Sequence, residues 1–158
     1  MASGGIAEIE MGVSKKLEDM VSRGRSVSAY LNRVLVKKFT KAQMNRWETE
    51  GSSEGMGWHP LTPAYAAWKK RKFADAPGNG TKLMIASGKL SSGAQLRDAS
   101  YFTKLVTDSE FVISMNLGAI PYAGYAGDDR PYMEFSDETL SEWKRGIRDY
   151  ICKNQGAL

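Results

Sequence analysis

The sequence predicts an α+β domain in which a long N-terminal helix and a C-terminal helix pack on a small antiparallel β-sheet, with long loops between them. Three observations carry this expectation. Val27, Tyr30, Leu31, Val34, Leu35, Phe39 and Ala42 recur every three or four positions, tracing one face of a long helix. A second stripe of Leu140, Trp143, Ile147 and Ile151 runs near the end of the chain. Between them, Phe111, Ile113 and Met115 alternate with Val112, Ser114 and Asn116, the period of two that marks a strand.

Ile6, Ile9, Val13, Leu17 and Met20 suggest an amphipathic start. Residues 6–11 also read as a short strand, so helix is expected from about Val13, with Gly24 as its stop. Ser26 is the expected N-cap of the long helix, which should end near Glu48. Residues 51–57, Gly-Ser-Ser-Glu-Gly-Met-Gly, have a loop composition with little to hold it rigid. Thr62 and Pro63 then open a further helix, the hydroxyl as cap and the proline at a position that needs no N–H. That helix carries Lys69, Lys70, Arg71 and Lys72 in its last turn, where positive charge complements the helix dipole. Residues 76–80, Ala-Pro-Gly-Asn-Gly, form a second expected loop.

Residues 83–96 read as a short helix or turn, interrupted by Gly88 and Gly93. Residues 101–107, rich in aromatic and β-branched side chains, pair with residues 111–115 in a hairpin turning near Asp108 and Ser109. Residues 118–130, with Gly118, Gly124, Gly127 and Pro121, read as a long loop. For the last helix, Ser136 is the N-cap candidate, and Asp137 and Glu138 place negative charge on its first turn. Phe135 and Leu140 stand at the positions of a hydrophobic staple, and Lys144, Arg145 and Arg148 should face outward.

Composition bounds the class. A length of 158 residues fits one domain over residues 1–158, and 42% hydrophobic with 25% charged residues is near the globular average. No apolar run is long enough to span a bilayer, and residues 1–12 lack a basic start followed by an apolar signal core. The lone Cys152 excludes an internal disulfide and a cysteine-based metal cluster, as expected of a protein in a reducing cytoplasm. A net charge of +4, from 22 basic and 18 acidic residues, permits nucleic acid as a partner without implying it.

Few residues suit catalysis, and the chain is read as a non-enzyme with no cofactor and no metal. His59 is the sole histidine and lies between Trp58 and Pro60, where packing or hydrogen bonding is the commoner role. Asp128, Asp129 and Glu134 match no cation-binding loop. Ser87-Gly88-Lys89 lacks the glycine-rich run of a phosphate loop. Lys69, Lys70, Arg71 and Lys72 are the one concentrated basic feature, either a solvated helix end or a weak contact to DNA phosphates that salt would screen. Trp58, Pro60 and Leu61 fit core and interface equally well, since tryptophan is enriched at hot spots and a Pro-Leu step also fixes how a helix is approached. Arg130, Pro131 and Tyr132 are similar, with Arg130 pairing either internally or with a carboxylate of a neighbouring subunit.

Three segments carry a resemblance. Trp58-His59-Pro60-Leu61-Thr62-Pro63, Ser87-Gly88-Lys89-Leu90 and Arg130-Pro131-Tyr132-Met133-Glu134-Phe135-Ser136-Asp137 stand in an order and spacing similar to the virion-morphogenesis, or tail-completion, proteins of tailed bacteriophages. The chain departs from that pattern after Tyr122-Ala123, where Gly124-Tyr125-Ala126-Gly127 replaces a His, an aromatic and a Gly. The resemblance implies a structural protein of the virion, assembled in the host cytoplasm, that forms or completes a ring where tail meets head. It further implies self-association, with a hexamer as the assembled state. The tail-tube protein and head-tail connector or neck proteins are the implied partners, and non-specific contact with genomic DNA is an option. Trp58, Pro60, Leu61, Tyr122, Arg130, Pro131 and Tyr132 are the corresponding interface candidates. Residues 51–57, 74–82 and 118–130 are the segments expected to order on assembly. The first competing expectation is a nucleic-acid-binding accessory protein that uses residues 69–72, and the second a small nuclease or hydrolase with His59 and Asp129 in its site.

Overall fold

A computed structural model describes residues 4–75 and 80–153, with side chains described from residue 15 onward except at 127–129. The fold is α+β, as expected. Helix α1 (Gly4–Arg25) is one continuous 22-residue element, so neither a strand over residues 6–11 nor a start at Val13 is seen. Gly24 does not stop it. It lies in the last turn, close enough to the C-terminal helix that a Cβ there would sit 3.8 Å from Ile151.

Helical geometry resumes at α2 (Ser28–Tyr30), passes through a π-helical turn (Leu31–Leu35) and continues as α3 (Val36–Glu48). The N-cap position belongs to Val27 and not to Ser26. The Ser26 hydroxyl instead donates to Asp108 Oδ1 at 2.7 Å, and the Val27 N–H donates to the Asp108 carbonyl at 2.8 Å, so the start of this helix is tied to the hairpin turn. The extra residue of a π turn rotates the later side chains about the helix axis. Val27, Tyr30, Leu31 and Leu35 form one cluster with Phe111, Trp143, Ile147 and Ile151. This first core continues past the turn, where the Phe39 ring meets Phe111 at 5.8 Å and Trp143 at 6.3 Å, and the far end of α3 reaches a second through Trp47.

The loop over 51–57 is fixed, contrary to its composition. Gly51 and Gly55 adopt left-handed φ values of 88° and 72°, flanking a short 3-10 turn (Ser52–Glu54). At Gly51 a Cβ would fall 2.2 Å from the Met56 carbonyl, so only glycine fits. Glu54 is buried there, and its Oε2 accepts from Ser136 N, Ser136 Oγ and Thr139 Oγ1.

Helix α4 (Pro63–Lys72) opens with Thr62 in extended N-cap geometry and Pro63 in the first turn, but the threonine hydroxyl makes no cap bond. The expected loop over 76–80 lies outside the described residues except for Gly80. Helix α5 (Lys89–Ala94) follows a left-handed Gly88. Strands β1 (Phe102–Val106) and β2 (Phe111–Met115) pair antiparallel with Leu105 opposite Val112. Leu105 and Val112 both remain exposed, so one face of the hairpin is uncovered.

The segment 118–130 is not the long loop expected. Residues Ala123–Asp129 form α6, despite two glycines, because Ile120 and Ala123 are buried and the Tyr132 hydroxyl donates to the Ala123 carbonyl at 2.9 Å. Tertiary contact overrides the weak local helix preference. Helix α7 (Asp137–Lys153) is capped by Ser136, whose Oγ accepts from Thr139 N at 3.2 Å. Leu140 is exposed, and the Phe135 ring packs on Trp143 at 4.7 Å and Phe39 at 5.5 Å. Gly146 lets α7 approach α2, since a Cβ there would lie 2.1 Å from the Tyr30 hydroxyl. No described helix is long and apolar enough to cross a membrane.

Candidate functional site

Folding brings the three separated segments onto one cluster. Trp58 packs edge-on against Trp47 with ring centroids 5.0 Å apart, and Tyr132 leans on the same Trp47 at 6.2 Å. Leu90, from the second segment, is buried in this cluster with Ile120 and Ala123. Arg130 Nε donates to the His59 carbonyl at 3.1 Å, joining the first segment to the third across 71 residues. Pro131 presents its carbonyl to the Arg46 guanidinium from α3.

Trp58 and Tyr132 are therefore core residues, 6% exposed each, and the folded chain does not offer them as interface surface. Both rings pack on a common internal neighbour, Trp47. Pro60 is exposed, Leu61, Arg130 and Pro131 are half-buried, and Tyr122 is 45% exposed. Among the described residues no Arg–Asp pair forms at Arg130, whose Nε bonds to a backbone carbonyl instead.

Above the cluster lies a pocket of about 170 Å³ between α4, the residues before α5, and α6. Leu61, Met84, Leu90 and Ala126 supply apolar wall, and Tyr65 and Tyr122 stand at its exposed rim. Two cations, Lys69 and Arg130, also line it. Lys69 is only 2% exposed, and its ammonium donates to the Lys82 carbonyl. Burial, with a smaller contribution from the neighbouring Arg130 charge, holds the Lys69 pKa below the ordinary lysine value, while Glu50 acts in the opposite sense.

The basic cluster is thus split. Lys69 points inward and is removed as a DNA contact, because its α4 position faces the body of the protein. Lys70, Arg71 and Lys72 remain exposed. Beside them Tyr65 and Trp68 stack at 5.3 Å with a 29° interplanar angle, both more than two-fifths exposed.

His59 is exposed and contributes its backbone carbonyl to the site. The side chains of Asp128 and Asp129 lie outside the described residues. Among the described residues, no group of three or more His, Cys, Asp or Glu is placed to hold a metal ion.

Among the buried polar residues that sequence reasoning missed, Gln43 and Arg46 are fully buried. The signal was present: they stand four and seven positions after Phe39, on the apolar face of α3. Arg46 lies over the Phe135 ring at 5.0 Å, and its Nε and Nη2 have no hydrogen-bond partner among the described residues. Burial lowers its pKa, opposed by the charges of Glu54 and Glu134. Its role is to anchor the Arg130-Pro131-Tyr132 segment to α3.

In comparison with known proteins, no family model matches the chain, and no curated protein or solved structure matches it significantly.

Proposed function

We propose that this chain is a structural virion protein that forms or completes the ring at the head-proximal end of a bacteriophage tail, joining tail to head. The observation that carries the reading is the order and spacing of the three segments at 58–63, 87–90 and 130–137. Their convergence on one cluster and one pocket supports treating them as a single functional unit. The mechanism is geometric. Copies in a closed ring, a hexamer in this reading, present heterologous interfaces to each other and stack on the tail-tube and neck proteins. Exposed Tyr122 and Tyr125, 45% and 81% exposed, are aromatic side chains of the kind enriched at interface hot spots. The ordered state of 51–57 and of α6 moves the expected disorder-to-order transition away from those two segments.

Quantitative mass spectrometry of nuclease-treated particles tests the reading. A few copies per particle, as one or two rings require, are expected; absence from the particle refutes it. Tyr125→Ala is expected to fold normally and to lower the yield of completed tails, and unchanged yield would remove this residue from the interface.

The exposed Tyr65 and Trp68 stack beside Lys70, Arg71 and Lys72 favours a second reading, a nucleic-acid-binding accessory protein. Aromatic faces stack on bases while cations track phosphates. Tight binding of single-stranded DNA that weakens steeply with salt, and that Trp68→Ala reduces, would support it over the first.

A further inference from the structure

We propose that the pocket between α4 and α6 binds an organic carboxylate with a small apolar body. The inference rests on the balance of its lining. Lys69 and Arg130 place two cations in about 170 Å³, and among the described residues no acidic side chain lines the pocket with them. Glu50 does not line the pocket; its Oε1 accepts the Leu83 N–H at 2.8 Å, and its charge favours the Lys69 ammonium more than the Arg130 charge opposes it, without offsetting the cost of burial. Two like charges at a small apolar site repel, and burial together with that repulsion lowers the Lys69 pKa.

An anion relieves both costs. Arg130 uses Nε on the His59 carbonyl, which fixes the guanidinium plane, and among the described residues its two terminal nitrogens have no hydrogen-bond partner, as a bidentate grip on a carboxylate requires. Lys69 donates one N–H to the Lys82 carbonyl and has three donors in all, so it retains capacity for the same anion. Leu61, Met84 and Leu90 then match an aliphatic or single-ring body, since a polar body would lose its hydration without hydrogen bonds in return. A pocket of about 170 Å³ suits a small acid. Tyr65 and Tyr122, roughly half-exposed, flank the opening through which such a group enters.

The carboxylate belongs either to a free small acid or to the end of a protein chain, and the test separates the two. Binding by the isolated chain does not depend on tail assembly, so the inference stands or falls apart from the function proposed above. The probes are 4-methylpentanoate and its neutral amide, titrated into the full chain and followed by backbone amide NMR. The acid is expected to shift Ala86, Leu90 and Ala126 and to bind about tenfold or more tighter than the amide. Arg130→Gln, which keeps an N–H for the His59 carbonyl, is expected to lose that preference. Lys69→Met should lose it as well, and Arg130→Gln carries the test if the lysine variant fails to fold. Equal binding of acid and amide, no shift at millimolar acid, or an unchanged preference in Arg130→Gln would each overturn the proposal. An acetylated Ala-Ala-Leu peptide with a free carboxylate forms the second arm. Tighter binding than the small acid assigns the site to a protein chain end, and exclusion of the peptide while the small acid binds assigns it to a free metabolite.

Discussion

Replacing Glu54 by alanine is expected to destabilise the chain by about 2–3 kcal/mol. Three donors converge on its Oε2: Ser136 N and Ser136 Oγ at 3.0 Å each, and Thr139 Oγ1 at 2.9 Å. A hydrogen bond to a charged group contributes roughly 1.5–3 kcal/mol net, so a simple sum would exceed the expected loss. The two hydroxyls lie 3.1 Å apart and re-pair with each other or with water, while Ser136 Oγ keeps its bond from Thr139 N. The half-buried Ser136 N–H has no such alternative. Its lost bond, together with roughly 0.5–1 kcal/mol for removing a negative charge from the N-terminus of a 17-residue helix, gives the expected magnitude. In a domain of this size that corresponds to a fall in Tm of about 5–10 °C. Glu54→Gln keeps an acceptor oxygen and should lose roughly half as much. Urea and thermal unfolding of both variants, with Thr139→Val for a double-mutant cycle, measure it. A loss under about 0.5 kcal/mol in Glu54→Ala, or strict additivity with Thr139→Val, would refute the reasoning.

Gly146→Ala should cost about 1–3 kcal/mol, because its Cβ would fall 2.1 Å from the Tyr30 hydroxyl in a closely packed interface. Tyr30→Phe in the same chain should recover much of that, since the next nearest atom, Tyr30 Cζ, is 3.3 Å away; lack of recovery in unfolding experiments would count against the close contact. Lys38 and Glu142 form a surface pair at 2.7 Å, and the hydrogen bond from Lys38 holds the Glu142 pKa below the ordinary carboxylate value. A folded pKa below the unfolded one contributes stability above the unfolded value of about 4.3 and loses it as pH falls through the folded one. Glu142→Gln should therefore be less stable than the parent near neutral pH, by under about 1 kcal/mol for a solvent-screened pair, with the difference closing in acid. A difference independent of pH would exclude the ion pair as its source.

The α+β class, the long helix to Glu48, the hairpin about Asp108 and the capped final helix are all legible in the sequence. Each is encoded locally: periods of 3.6 and 2, a serine before two acids, a β-rich pair of runs across a short turn. The candidate site was legible only in part. Its segments stood out in order, and Leu61, Tyr122 and Arg130 do line one pocket, but nothing local places Leu90 and Lys69 beside them. It took tertiary packing to turn Lys69 inward while Lys70, Arg71 and Lys72 stay in water. The same packing makes Trp58 and Tyr132 core, lets Glu54 close the start of α7 across 82 residues, and turns a glycine-bearing stretch into α6. The physical reason is common to all of these. Burial and hydrogen bonding are settled by what arrives from distant parts of the chain, and for Ala123 that is the cluster of Trp47, Trp58 and Leu90. Such long-range partners outweigh local preferences that differ by only about 1 kcal/mol per residue.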